Sequence, residues 1–313
     1  MDSRRSLDAQ AVGLMLILCL IWSMAQITLK ATAADFSPVL QIALRSGVGA
    51  VLVAAFMLTQ QGGVRLDGRA WRPGLLVGFL FALEFLLVGE GLRYTTASHL
   101  VVFLYTAPVF AALGLHWKLP SERLAPAQWV GIALAFSGIA LTFLGRNSGG
   151  NSIAADMLRG DLLAVMAGAA WGATTVVIRA SRLANLPATQ TLLYQLLGGF
   201  VLLLLCAFAL GQTTFNPTPV ALASLAFQSV VVSFASYLAW FWLLRHYLAS
   251  RLGVFSFLTP LLGVLLGAWL LHEPVEADFL LGALLVVTGI VLVSGYGWLR
   301  QLAGVIRSQR ESA

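Results

Sequence analysis

The sequence predicts an all-α integral membrane fold: ten transmembrane helices in a 5+5 inverted repeat, with both termini on the cytoplasmic side. Three observations carry that reading: an apolar composition, ten long apolar runs, and a chain that is written twice. Of 313 residues, 59% are hydrophobic and 10% charged, with a mean hydropathy of +0.88. Soluble domains hold roughly 45–50% apolar and about 25% charged residues, so a soluble core does not fit this composition.

Crossing ~30 Å of hydrocarbon takes about 20 apolar residues in a helix. Runs of that length lie near 11–31, 37–59, 73–93, 97–117 and 124–145, then near 160–180, 187–210, 219–244, 250–271 and 277–298. The first follows Arg4 and Arg5, and Ala31-Thr32-Ala33 resembles a signal-peptide cleavage site. It exceeds the ~7–15 residues of a signal core and carries Gln26 and Lys30, so it reads as a span. The second opens at Ser37-Pro38 and carries Arg45; the third holds Glu84 and Glu90 and ends at Arg93. Pro108 interrupts the fourth, and Glu122 precedes the fifth. The stretch "RNSGGNS" (146–152) has the composition of a flexible link. The sixth run contains Trp171, Thr175 and Arg179, the eighth Tyr237 and Trp240, the ninth Pro260, and Glu273 precedes the tenth. These runs divide the chain into a first five-helix repeat (1–145), an external linker (146–159) and a second repeat with a cytoplasmic tail (160–313). They are too long, and lack the alternation, for a transmembrane β-barrel.

Charge sets the expected orientation. Of the 19 Lys and Arg, fourteen fall in the connectors on the N-terminal side and three (Arg93, Arg146, Arg159) on the other, with Lys30 and Arg45 inside helices. The positive-inside rule then places both termini in the cytoplasm. Because the basic residues are dispersed, the net charge of +6 reads as topology and not as a nucleic-acid surface. Cys19 and Cys206 lie singly in apolar runs and imply neither a disulfide framework nor a metal site.

The two halves match residue by residue. "WSMAQITLKA" (22–31) corresponds to "WGATTVVIRA" (171–180), which places Lys30 on Arg179, and Pro38 and Gln41 fall on Pro187 and Gln190. "VFLYTAP" (102–108) corresponds to "VFSFLTP" (254–260); Glu122, Gly131 and Gly138 then align with Glu273, Gly282 and Gly289. Five helices is an odd number, so the second unit enters the membrane upside down. Such repeats commonly place a binding site near the midplane at their interface, marked by interrupted helices at corresponding positions.

Pro108 and Pro260 are such a pair, flanked by Tyr105 and Phe257 at equivalent positions. Each removes a backbone donor and disturbs a carbonyl four residues back. Trp22, Gln26 and Lys30 follow at four-residue steps along one helix face, echoed by Trp171, Thr175 and Arg179. With Tyr237 and Trp240 they make an aromatic and amide lining suited to planar or apolar ligands. At ~1.5 Å rise per residue, Arg45 and Glu84 lie about 12–13 Å below the outer boundary and Glu90 about 5 Å. A lone ion in the membrane interior is costly, so Glu84 is expected to pair with Arg45, and Glu90 with Lys30 or His99. Two readings of the acids stay open: fixed ion pairs that brace the bundle, or a carboxylate that takes up protons during transport.

The Trp…Lys first helix, "LQIALRSG" (40–47), "YTTASHLVVFLYTAPVFAAL" (94–113), "GIALAFSGIALTF" (131–143) and their second-half echoes resemble the EamA-type drug/metabolite transporters. The resemblance spans nearly the whole chain. It implies a central cavity built from the first four helices of each half, and movement of small metabolites, often outward. Members of the family are similar to exporters of amino acids, including aromatic ones, and to efflux proteins for drugs. The third helix holds more carboxylate than the family pattern demands, which leaves the coupling mechanism open. The expectation is therefore a secondary transporter of small neutral or zwitterionic metabolites, foremost amino acids, in the cell membrane. The alternatives are a proton-coupled multidrug efflux protein and, from another class, a membrane-embedded enzyme. The four histidines are scattered and form no metal-ligand spacing, and no nucleophile elbow is present, so neither catalysis nor a cofactor is expected. The expected partners are a small-molecule substrate, the lipid bilayer and, in the coupled reading, protons; monomer and homodimer both stay open.

Overall fold

The computed structural model describes residues 8–60, 70–146, 152–247 and 255–311. Among these, every regular element is helical, and an isolated β-bridge joins Phe36 to Phe215. Among the described residues, nine helices are long and apolar enough to cross a membrane, and a shorter apolar helix, Leu258–Leu270, precedes the last of them. Residues 248–254, the start of the ninth apolar run, lie outside the described residues.

In chain order the helices are α1 (Ala9–Ala31), α2 (Pro38–Thr59), α3 (Trp71–Tyr94), α4 (Ala97–Leu104), α5 (Ala107–Lys118), α6 (Pro126–Arg146), α7 (Ser152–Arg179) and α8 (Ala188–Ala209). Then α9 (Pro219–Ala226), a π-helical stretch (Phe227–Ser236) and α10 (Tyr237–His246) run on as one span, before α11 (Leu258–Leu270) and α12 (Ala277–Glu311). Two boundaries depart from the hydropathy reading. Helix α7 begins at Ser152, so much of the expected linker is helical, and α12 continues to Glu311 through the expected tail. Hydropathy ends where charge begins, but a helix with no breaker carries on.

Polar groups are buried within an apolar core, and large apolar side chains face outward. Gln26, Gln41, Arg45, Glu84, His99, Asp161, Gln190 and Gln228 are buried, while Val51, Leu58, Trp117, Leu205, Phe208, Leu265 and Trp269 are exposed. In lipid the outer surface loses nothing by being apolar, and polar groups gather where they can partner one another.

Small residues set the closest approaches. Helices α6 and α12 cross so tightly that a Cβ on Gly131 would stand 2.8 Å from the Gly289 carbonyl, and one on Gly138 would stand 2.5 Å from that of Gly282. No side chain fits there, which is the packing that small residues permit in membranes. Helix α3 packs on α7 and α8, α2 on α8, α4 and α5 on α7, and α1 on α11 and the π stretch.

Both prolines begin new helices. The fourth span breaks after Leu104, and Pro108 sits in the first turn of α5; the ninth turns at Ser256 and Phe257, and Pro260 sits in the first turn of α11. The missing N–H is harmless in a first turn, where no intrahelical acceptor awaits it.

Candidate functional site

A buried polar layer joins the first two helices to the eighth span. Gln41 and Arg45 stand one helical turn apart, as do Ser224 and Gln228, and the two pairs meet. Gln41 Nε2 donates to Ser224 Oγ at 2.6 Å, and Arg45 Nη1 donates to Gln228 Oε1. Gln228 Nε2 in turn donates to the Ala25 carbonyl (2.6 Å) and Thr28 Oγ1 (2.9 Å) of α1. Further along, Trp22 Nε1 donates to Ser236 Oγ at 3.0 Å, and the Trp22 ring meets Trp240 edge-on at 5.8 Å. Gln228 and Ser236 both belong to the π stretch, a helix form that is rare and often functional.

The expected Arg45–Glu84 contact is not made. The Arg45 guanidinium turns onto Gln228 and lies 4.5 Å from the centre of the Phe85 ring. Glu84, 6% exposed, is within electrostatic reach of Arg45, yet no hydrogen bond or ion pair joins them. Equal depth did not bring contact because Phe85, next along α3, occupies the guanidinium's face. Tyr237 is within electrostatic range of both charges, and Tyr105 of Glu84 and Tyr237. Tyr105 meets Trp171 edge-on at 5.3 Å, and Thr175 Oγ1 donates to the Trp171 carbonyl at 3.2 Å. Phe257 is buried in the main apolar core. Gln26 Oε1 and Arg45 Nε are buried without a hydrogen-bond partner.

The pairing expected of Glu90 is also corrected. Glu90 accepts from Arg93 at 3.0 Å, one turn along α3, and from Gln212 Nε2. Lys30 Nζ donates instead to the carbonyls of Leu92 and Thr95, the latter at 2.7 Å, where α3 ends and α4 begins. His99 Nδ1 stands 3.1 Å from Asp161 of α7, whose other oxygen accepts from Thr95 Oγ1, and the imidazole stacks on Phe279 at 3.7 Å. A neighbour in sequence reaches Glu90 at less entropic cost than a cation on another helix.

Glu273, which precedes the tenth run, caps a helix from the other half of the chain. Its carboxylate accepts from Ala97 N (2.7 Å), Ser98 N (3.0 Å) and Ser98 Oγ (2.5 Å), satisfying orphan donors at the N-terminus of α4. A left-handed His272 (φ 53°) and a bond from Glu273 N to the Gly267 carbonyl turn the chain there. A Cβ on Gly267 would collide with Ser98 Oγ and crowd the Glu273 carboxylate, so glycine leaves room for this contact. At the opposite end of the bundle, Arg179 pairs with Glu122 in a half-exposed ion pair. Asp161, Glu273 and Gln228 were missed or set aside from sequence. The available signals were an acid at the head of the sixth run and polar residues four apart in the eighth.

The profile of the EamA-like transporter family matches residues 9–144 and, a second time, 158–295. The chain belongs to the EamA-like transporter family. Among relatives it is 24% identical over 275 residues to the Bacillus subtilis protein named "Uncharacterized transporter YoaV", covering 87% of this chain and 92% of that one. It is 26% identical to an Archaeoglobus fulgidus protein named "Uncharacterized transporter" (90% and 96% covered), and 25% identical to the Escherichia coli protein named "Uncharacterized inner membrane transporter YedA" (90% of both). One solved crystal structure superposes with a TM-score of 0.63 over 91% of this chain and 97% of its own, at 20% identity, which bears on the fold alone. This EamA-like protein is thus a multi-pass integral membrane transporter of the cell membrane.

Proposed function

We propose that the chain exports small neutral or zwitterionic metabolites, foremost apolar and aromatic amino acids, by alternating access around a central site between two inverted five-helix repeats. The observation that carries this reading is the buried layer of Arg45, Glu84, Gln26 and Tyr105, with Tyr237 half-buried beside it and polar atoms left unpartnered deep inside a shell of lipid-facing apolar residues. Unsatisfied polar groups in a membrane interior are costly, and they persist where a ligand completes them. The double match of the family profile supports a duplication. So does the glycine crossing: with Gly131 aligned to Gly282 and Gly138 to Gly289, the contacts Gly131–Gly289 and Gly138–Gly282 exchange partners as a two-fold axis requires.

In this reading Trp22, Trp171, Tyr105, Tyr237 and Trp240 offer ring faces to the substrate, and Phe257 backs the site. Sugar phosphates fit poorly, because they call for several converging cations. A second reading, proton-coupled efflux of lipophilic drugs, draws on Glu84, a buried acid with no hydrogen-bond partner. A counterflow screen of amino acids, nucleosides and lipophilic cations in proteoliposomes separates the two. Amino acids are expected to exchange. Exchange of lipophilic cations alone, driven by a pH gradient, would replace the first reading with the second.

A further inference from the structure

We propose that Arg45 and Glu84 form a split charge pair that the two charges of a zwitterion complete: the substrate's carboxylate on the guanidinium, its ammonium on the Glu84 carboxylate. The proposal deepens the amino-acid reading and rests on it. Three features of the pair carry it. Both groups are buried, at 2% and 6% exposure. They are near enough to interact electrostatically, yet no direct contact is made. Each also keeps unused capacity: Arg45 Nε has no partner, and no hydrogen bond reaches the Glu84 carboxylate.

Packing enforces the separation. Phe85 follows Glu84 on α3, and its ring lies under the guanidinium, while Gln228 takes Nη1 from the side of the eighth span. The fork of an arginine is matched to a carboxylate through two parallel donors, and one of its edges is already aimed at Gln228. A molecule carrying a carboxylate and an ammonium on one carbon spans two such charges with no net charge transferred into the membrane. Tyr105 and Tyr237 are both in electrostatic range of Glu84, so aromatic rings stand near the acid, as an amino acid with an apolar or aromatic side chain requires.

A purely structural ion pair would be expected to close, since contact in a low-dielectric interior strengthens the attraction. A bare bracing role for Arg45, holding α2 to the eighth span through Gln228, leaves Glu84 unexplained. The inverted counterpart also differs: Arg45 has Tyr194 at its repeat position, and Glu84 has Tyr237, so one half alone supplies both charges. The site is therefore polar in one direction, which orients a zwitterion.

The test is counterflow in proteoliposomes with four probes: L-phenylalanine, its amide, its N-acetyl derivative, and phenethylamine. Native protein is expected to exchange L-phenylalanine faster than each analogue by about ten- to hundredfold, the scale of one lost charge-assisted hydrogen bond. Glu84→Gln should lose its preference over the N-acetyl derivative while keeping it over the amide, and Arg45→Gln should show the reverse. Arg45→Lys, which keeps the charge and loses the fork, should raise the half-saturating concentration and keep the preference order. Thermal unfolding in detergent identifies folded variants. If native protein exchanges all four probes equally, or folded Glu84→Gln and Arg45→Gln lose all four in equal proportion, the split-pair site is wrong while transport of amino acids stands. If none of the four exchanges but nucleosides or lipophilic cations do, the amino-acid reading itself falls, and the site with it.

Discussion

The two ends of the bundle hold matching residues and use them differently. Lys30 aligns with Arg179 and Glu273 with Glu122 across the repeat. At the end where α3 passes into α4, Lys30 and Glu273 are each turned onto backbone groups, and Asp161, His99 and Thr95 seal the space behind them, with Asp161 0% exposed. At the opposite end Arg179 and Glu122 meet directly, with side chains 55% and 33% exposed. One end is interlocked through four chain segments, and the other is a surface ion pair that water can screen. Under the alternating-access reading proposed above, such an inequality is one access state, and its mirror image is the other.

Changes at the interlocked end should cost most. Asp161→Ala removes the acceptor of Thr95 and a partner of His99 in a buried setting, and should destabilise by about 3–5 kcal/mol, read as thermal unfolding in detergent. Glu273→Gln keeps the shape and removes the charge from the α4 N-terminus; a loss of about 1–2 kcal/mol is expected. Arg179→Gln at the exposed pair should change stability by about 0–1 kcal/mol, less at high salt. A larger loss would erase the contrast between the ends. The smallest effect is expected of His272→Gly: relief of the left-handed backbone should leave the unfolding temperature unchanged or raised slightly, since glycine favours that conformation.

Much of this fold was legible in the residues. Apolar runs mark the spans because lipid demands them, and Pro108 and Pro260 mark the two interrupted helices because proline starts a helix more easily than it continues one. Side-chain partners were less legible. The depth of Arg45 and Glu84 follows from counting residues, but their rotation about the helix axes does not, and Phe85 and Gln228 decided it. Glu90 was assigned to distant cations when Arg93 stood one turn away. Asp161 has no echo in the first repeat, where Val12 stands, so the comparison of halves passed over it. Glu273 has an echo, but its role lies on α4, more than 170 residues back in the chain.

The most direct measurement is of the two ends at once. Spin labels on Ala34→Cys and Ala277→Cys report one end, and Ala127→Cys and Ala184→Cys the other, with Cys19 and Cys206 replaced by alanine. Pulsed electron–electron resonance distances are then recorded with and without saturating L-phenylalanine in liposomes. Alternation predicts that the populations move in opposite senses, one end closing as the other opens. Distances that stay fixed at both ends, or that widen together, would contradict it.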